Sequence, residues 1–220
     1  MPKLLSESLG STLTDEDEQA IDRILSFWFQ ERQLTAPQLD ARMEAWFNED
    51  PAFDDEIRET FGGHVDRASA GELGHWAQSS RGRLALIILL DQFRRNIYRN
   101  TAAAFSADRI ALKLCVEGAI AKADAPLSPI ERVFFYMPLQ HAESRKVQAK
   151  SARIFRRLAE VVSPTYRETF EAFADFAELH NDIVQQFGRF PHRNSILGRD
   201  NTQEEDDYLS GDAPSFGQEG

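Results

Sequence analysis

An all-α domain is the fold this sequence predicts, and two patterns predict it. Every stretch long enough to judge repeats its apolar residues at spacings of three and four, and no alternating run or hairpin signal occurs in the 220 residues. At 42% hydrophobic content the chain can bury a sizeable core, and its length fits one domain with accessory tails. We read residues 1–13 as a flexible tail, 14–209 as the helical domain and 210–220 as a disordered acidic tail.

The elements follow in order. Thr14 before four acids is an N-cap, and Ile21, Ile24, Leu25 and Trp28 form the stripe of the first helix. Pro37 opens a second helix with Leu39, Met43, Trp46 and Phe47. Asp50-Pro51 caps a third with Phe53, Ile57 and Phe61, which Gly62-Gly63 is placed to interrupt. A short helix between Gly71 and Ser80 carries Leu73 and Trp76. Residues 84–90 are apolar on all sides. Such a run would also suit a buried strand, but Asp91-Gln92-Phe93 continues the helical pattern and no partner strand exists, so a central buried helix is predicted.

Ser106 is read as the cap of a helix with Ile110, Leu114 and Ile120. Ser128-Pro129 with Glu131 makes a capping box for the next, which runs through Phe134, Phe135 and Tyr136 into Pro138. Proline removes a backbone donor and clashes with the preceding turn, so a kink or an end is expected there. Helices over about 144–162 and 164–187 follow, the second closed by Gly188, and Thr202 with Glu205 opens a last short one ending near Leu209. Consecutive helices on short loops should pack antiparallel.

Charge is distributed unevenly. Residues 1–19 carry −4 and residues 200–220 carry −7, the whole of the formal −11, so the body is neutral. Within it, residues 40–60 hold eight acids and two bases, and residues 140–160 six bases and two acids. That segregation could give a neutral body one basic concavity, or simply solvated helix faces. With no basic stripe interleaved with exposed aromatics, nucleic acid is not an expected partner. No apolar run approaches the length of a membrane span or a signal peptide, so no membrane partner is expected and the cytoplasm is the expected location. The single Cys115 sits among Ala111, Leu112, Leu114 and Val116 and reads as a buried hydrophobe.

Three runs concentrate the unusual chemistry. Asp91-Gln92-Phe93-Arg94-Arg95-Asn96 ends the most apolar helix; Gln92 and Asn96 share a face, Arg94 could reach inward to Glu143 or a ligand, and Asp91 could pair internally with an arginine. Met137-Pro138-Leu139-Gln140-His141-Ala142-Glu143 places an imidazole and a carboxylate after the proline. His141 oriented by Glu143 is a candidate general base, although two residues apart they can pair only if the helix breaks. In the third run Gly188 ends a helix, and Arg189, His192, Arg193 and Asn194 follow on a proline-stiffened loop suited to binding a carboxylate or phosphate, or to satisfying helix-end carbonyls. His180 lies on an inner face with Phe173, Phe176 and Ile183, as a core histidine or a ligand-binding one. His141, Glu143, His180 and His192 are metal-ligand types, yet no metal motif spaces them and no metal is expected; nothing in the sequence specifies a cofactor.

Residues 84–96 with Tyr98, the run Phe135-Tyr136-Met137-Pro138-Leu139-Gln140-His141 with Glu143 and Ser144, and residues 187–194 with Leu197-Gly198-Arg199 resemble those of a bacterial family known as domain of unknown function 924. The resemblance covers about residues 20–209. It implies a fold of the tetratricopeptide-like superfamily, helix hairpins stacked in a right-handed array, and brings no known activity, substrate or cofactor. Arg94-Arg95 departs from the family's run, where Pro or Ser would neighbour an Arg, and the acidic tail is individual to this chain.

From these residues we expect a binding module for a small anionic molecule or a peptide carboxylate, using Gln92, Arg94, His180, Arg189, His192, Arg193 and Asn194. The alternative is a hydrolase or transferase on a small anionic substrate, with His141 and Glu143 as its base pair. A third reading has the polar runs lock helix ends while an outer surface does the work. The acidic tail could also lie across the site and compete with its ligand.

Overall fold

Local caps set most helix starts in the computed structural model, which describes residues 12–211 and 213–217. Thr14 and Asp17 close a capping box on α1 (Asp15–Phe29), Thr35 stands before α2 (Ala36–Phe47), and the Asp50 carboxylate accepts from the first turn of α3 (Pro51–Ser69). Gly62 and Gly63 do not interrupt α3; an added Cβ on either would meet nothing within 4 Å, so they face open space. The segment before Ser80 is a 3₁₀ turn, Gly74–Gln78, that buries Trp76.

The predicted central helix is one rod in three parts: α4 (Ser80–Ile87), a π-helical stretch Ile88–Phe93, and α5 (Arg94–Ile97). Residues 84–90 are at most 2% exposed, as an all-apolar run requires. This rod packs on α1, on α3, on α6 (Asp108–Ile120) and on α7 (Pro129–Gln140). Ser106 does not cap α6. Its hydroxyl is taken by the Arg94 guanidinium and the Ala103 carbonyl, and Ala107 precedes the helix. The α7 capping box forms as expected, and the helix passes Pro138 to end two residues later at Gln140.

Behind α7, α8 (Arg145–Val161) and α9 (Arg167–Phe187) lie along each other, linked by the 3₁₀ turn Pro164–Tyr166, and Gly188 closes α9 in the left-handed conformation at φ +74°. After the 3₁₀ turn Pro191–Arg193, α10 (Gln203–Leu209) begins at the Thr202–Glu205 capping box. No strand occurs among the described residues, and no described helix is long and apolar enough to cross a membrane. The N-terminal tail lies outside the described residues up to Ser11.

One aromatic cluster ties α1, α2 and α7 together. Trp46 and Phe134 rings sit 4.6 Å apart, with Trp28 and Phe29 against both. The C-terminal carbonyl of Trp28 accepts from Trp46 Nε1 (3.0 Å) and from buried Arg42 (2.7 Å), so α2 satisfies the end of α1 and is fixed in rotation. Cys115 is buried and free, and burial pushes its thiol pKa up.

The start of α4 allows little room. A Cβ on Gly82 would stand 2.3 Å from the Trp76 carbonyl oxygen and 2.8 Å from Ser79 Oγ. Gly82→Ala is therefore expected to lower the unfolding free energy by about 1–3 kcal/mol, read from urea denaturation, since backbone must move to admit the methyl. An unshifted midpoint would mean that the Gly74–Gln78 turn yields freely.

Candidate functional site

A cavity of about 440 Å³ opens between α2, the central rod, α7, α9 and the Pro191–Arg193 turn. Helical spacing builds its apolar wall: Met43, Trp46 and Phe47 from α2, Met137 from α7, Phe173 and Phe176 from α9. Facing them are Gln92, Arg95, Asn96 and Arg99 from the rod and its end, Gln140 and His141 from the end of α7, His180 from α9, and His192 and Arg193.

At its polar end a closed circuit of hydrogen bonds begins and returns at His141. The Nδ1–H of His141 donates to Asp91 Oδ1 (2.7 Å), and Asp91, fully buried, also accepts from Arg95 Nη1 (3.1 Å) and from the Gln92 amide. Arg95 Nη2 donates to both oxygens of Asp108 (3.0 and 3.1 Å). Asp108 Oδ2 accepts from Arg193 Nη1 (3.3 Å), which donates again to the His141 carbonyl (3.2 Å). The rings of Phe105 and Phe190 clamp that guanidinium at 4.5 and 4.4 Å.

The π-helical stretch carries Asp91 and Gln92, and a π turn inside an α-helical rod is a recurrent feature of functional sites. His141 is the C-cap of α7, and its turn is held because Gln148 Nε2 donates to the carbonyls of Gln140 (2.6 Å) and Ala142 (2.9 Å).

Protonation states follow from these partners. Burial alone would raise the Asp91 carboxyl, but the Arg95 cation and the hydrogen bonds donated by His141 and Gln92 outweigh it and hold the group ionised, well below the usual carboxylate range. Burial, then repulsion from Arg95, pushes His141 down against the pull of Asp91, so the imidazole is neutral with its proton on Nδ1. Its Nε2 is then an unprotonated base that makes no hydrogen bond within the described chain. His180 repeats the arrangement: Nδ1–H donates to the Phe176 carbonyl (2.7 Å), and burial pushes the ring down to about 3. His192 is likewise pushed down to about 3 by burial and by the Arg193 cation. The His141 and His180 rings stand 6.3 Å apart.

Of the residues the sequence suggested, Gln92, His141, His180, His192 and Arg193 meet in this cavity. Glu143 does not orient His141. Its carboxylate pairs with Arg199 (2.7 and 3.0 Å) and accepts from Phe190 N–H (2.9 Å), pinning the loop after α9, because the chain turns at His141 and aims the two side chains apart. Arg94 points away from the cavity, donating to the Ala103 carbonyl and to the Ser69 and Ser106 hydroxyls. Arg189 is paired with Glu205, both oxygens at 2.6 Å, and Asn194 donates to Asn201 (2.7 Å); neither lines the cavity. These four fasten helix ends.

The expected surplus of positive charge is absent from the cavity wall. Arg95 is committed to Asp91 and Asp108, Arg193 to Asp108, and Arg99 to Asp54 (2.7 and 2.9 Å). Two buried donors on described lining residues have no partner, Gln140 Nε2 and Arg193 Nε. Among the described residues no group of three or more His, Cys, Asp or Glu is placed to hold a metal ion.

The family profile described as bacterial protein of unknown function (DUF924) matches residues 24–213. The chain belongs to that family. A solved structure of a protein of unknown function from Agrobacterium tumefaciens is similar to it at 34% identity and a TM-score of 0.74, covering 88% of this chain and 99% of that one. No curated protein matches. In this DUF924 chain the residues that sequence reasoning missed are those whose local pattern has an ordinary explanation. Asp108 looks like a first-turn acid of α6, Met43, Trp46 and Phe47 look like a core stripe, and Asp91 looked like a partner for the arginines beside it. The one available signal was a carboxylate directly after seven apolar residues, which must be either paired or functional once buried.

Proposed function

We propose that this chain binds a small molecule in the cavity, apolar along most of its length and polar where it meets His141, and that His141 acts on the polar end as a general base. The observation that carries the reading is the Asp91–His141 pair at the wall of an apolar cavity: a buried carboxylate fixes the tautomer and orientation of an imidazole whose other nitrogen is free. Among the described lining residues there is no Ser, Thr, Cys, Tyr or Lys, which favours proton abstraction or activation of water over a covalent intermediate on a side-chain hydroxyl, thiol or amine. A carboxylate head remains compatible with Gln140 Nε2 and Arg99, but the balanced guanidiniums favour a singly charged or neutral head over a phosphate. A tetratricopeptide-like stacking of the helices belongs to the same reading, as a frame that leaves a ligand cavity between neighbouring hairpins.

The test is a thermal-shift screen of the full-length protein against aryl and alkyl carboxylates, esters and amides, followed by NMR of the product pool for each compound that stabilises it. His141→Gln should keep binding and lower turnover by about 10²–10⁴-fold. Turnover equal to wild type in that variant would overturn the assignment of the base.

A further inference from the structure

Phe216 and Gly217, in the segment read from the sequence as a tail, form part of the cavity wall. The Phe216 ring stands 4.1 Å from the His180 ring at 36° and 5.2 Å from His192, and meets the edge of Phe190 at 6.5 Å. One residue on, the Gly217 carbonyl accepts from Arg99 Nη1 at 2.9 Å. Both residues hold left-handed backbone, φ +53° and +70°, which is unusual for a phenylalanine and persists only where surrounding contacts enforce it.

The two contacts are the kind a ligand would make. A flat apolar ring lies on two neutral imidazoles, and a carbonyl oxygen takes a donor on a guanidinium already balanced by Asp54. Of the tail acids, Glu205 is spent on Arg189.

We propose that Phe216 and Gly217 occupy the ligand's place, so that the ligand brings an aromatic ring to His180 and His192 and a carbonyl or carboxylate oxygen to Arg99, and displaces this segment on entry. This rests on the reading of the cavity as a binding site. The tethered ring competes at a high effective concentration, and a segment in place about 90% of the time weakens apparent affinity about tenfold.

The full-length chain and its Phe216→Ala variant are compared with two probes by calorimetry: 3-phenylpropanoate, and the peptide acetyl-Pro-Ser-Phe-Gly-amide. Ring-proton NMR of His180 reports where the segment lies. The variant should bind one probe or both about tenfold more tightly than wild type, and the His180 resonances should move on substitution as the ring current of Phe216 is lost. Tight binding of the peptide alone identifies a peptide ligand, and of the acid alone a small aryl acid. Equal affinities in the two proteins, no binding of either probe to the variant, or unmoved His180 resonances overturn the proposal. Turnover by His141→Gln against wild type decides the general-base reading separately, because both proteins carry the same tail.

Discussion

Asp91→Asn is expected to cost roughly 3–5 kcal/mol of unfolding free energy, the range for breaking a buried ion pair by removing one partner. Asp91 has 0% exposure and, among the described residues, is the only carboxylate hydrogen-bonded to His141, while Arg95 keeps Asp108 as a second partner. Asparagine can still accept a hydrogen bond on one oxygen, but it brings no charge and a competing amide donor, so one of His141, Arg95 and Gln92 loses its acceptor beside a fully buried side chain. The same change should lower any turnover by about 10²–10⁴-fold, because Nδ1 of His141 would no longer be held as the protonated nitrogen. Glu143→Gln is the control: its side chain is 27% exposed and its loss frees Arg199 towards solvent, so about 1–2 kcal/mol is expected and the His141 tautomer should be untouched. A loss below about 1 kcal/mol for Asp91→Asn in urea unfolding would mean that the circuit through Arg95, Asp108 and Arg193 is not an energetic unit.

How far the sequence could be read follows from the range of each interaction. The capping boxes at Thr14, Ser128 and Thr202 each close within three residues, so they were legible without the fold. The all-round apolar run at 84–90 had to be buried, and the helical pattern continuing through Asp91-Gln92-Phe93 made it a rod. The site's main bond, His141 to Asp91, spans 50 residues, and no local pattern records it; Glu143 was preferred because it is near in sequence, which a turn at the end of α7 makes irrelevant. All three polar runs do supply the circuit, through Asp91 and Arg95, His141 and Arg193, but the residue that joins them, Asp108, lies in none of them. The π stretch at Ile88–Phe93 was equally hidden, since one apolar run satisfies α and π winding alike. Of the two readings that the segregated charge allowed, the solvated helix face describes α8 and the basic concavity does not describe the cavity. The arginines near the cavity are matched one by one with Asp54, Asp91 and Asp108, and the basic residues of α8 such as Arg156 and Arg157 meet acids on the outer surface.

Acid should destabilise the protein well above the pH at which carboxylates titrate. His180 and His192 are pushed down to about 3 by burial, so they remain neutral in the fold where the unfolded chain, with imidazoles near 6.5, takes up protons. The stability that neutral imidazoles preserve is therefore complete above about pH 6.5 and falls as pH drops from there towards 3, by about 1.4 kcal/mol per pH unit for each ring. Two rings give about 2.7 kcal/mol per unit, and His141 and His64, both lowered by burial, act in the same direction. The depressed carboxylates Asp17, Asp91 and Glu205 add their own loss only below about pH 4. A domain with a typical 5–15 kcal/mol in hand would then lose about 4 kcal/mol or more between pH 6.5 and 5, visible as a steep fall of the urea midpoint. His180→Phe should reduce that slope by about 1.4 kcal/mol per unit, since the ring keeps its place against Phe190 and Phe216 while the titrating group is gone. A midpoint flat from pH 7 to 5 would show that these imidazoles are not held neutral. That result would also remove the reason to regard His141 as an active base below pH 6.5, because the same burial keeps all three rings unprotonated.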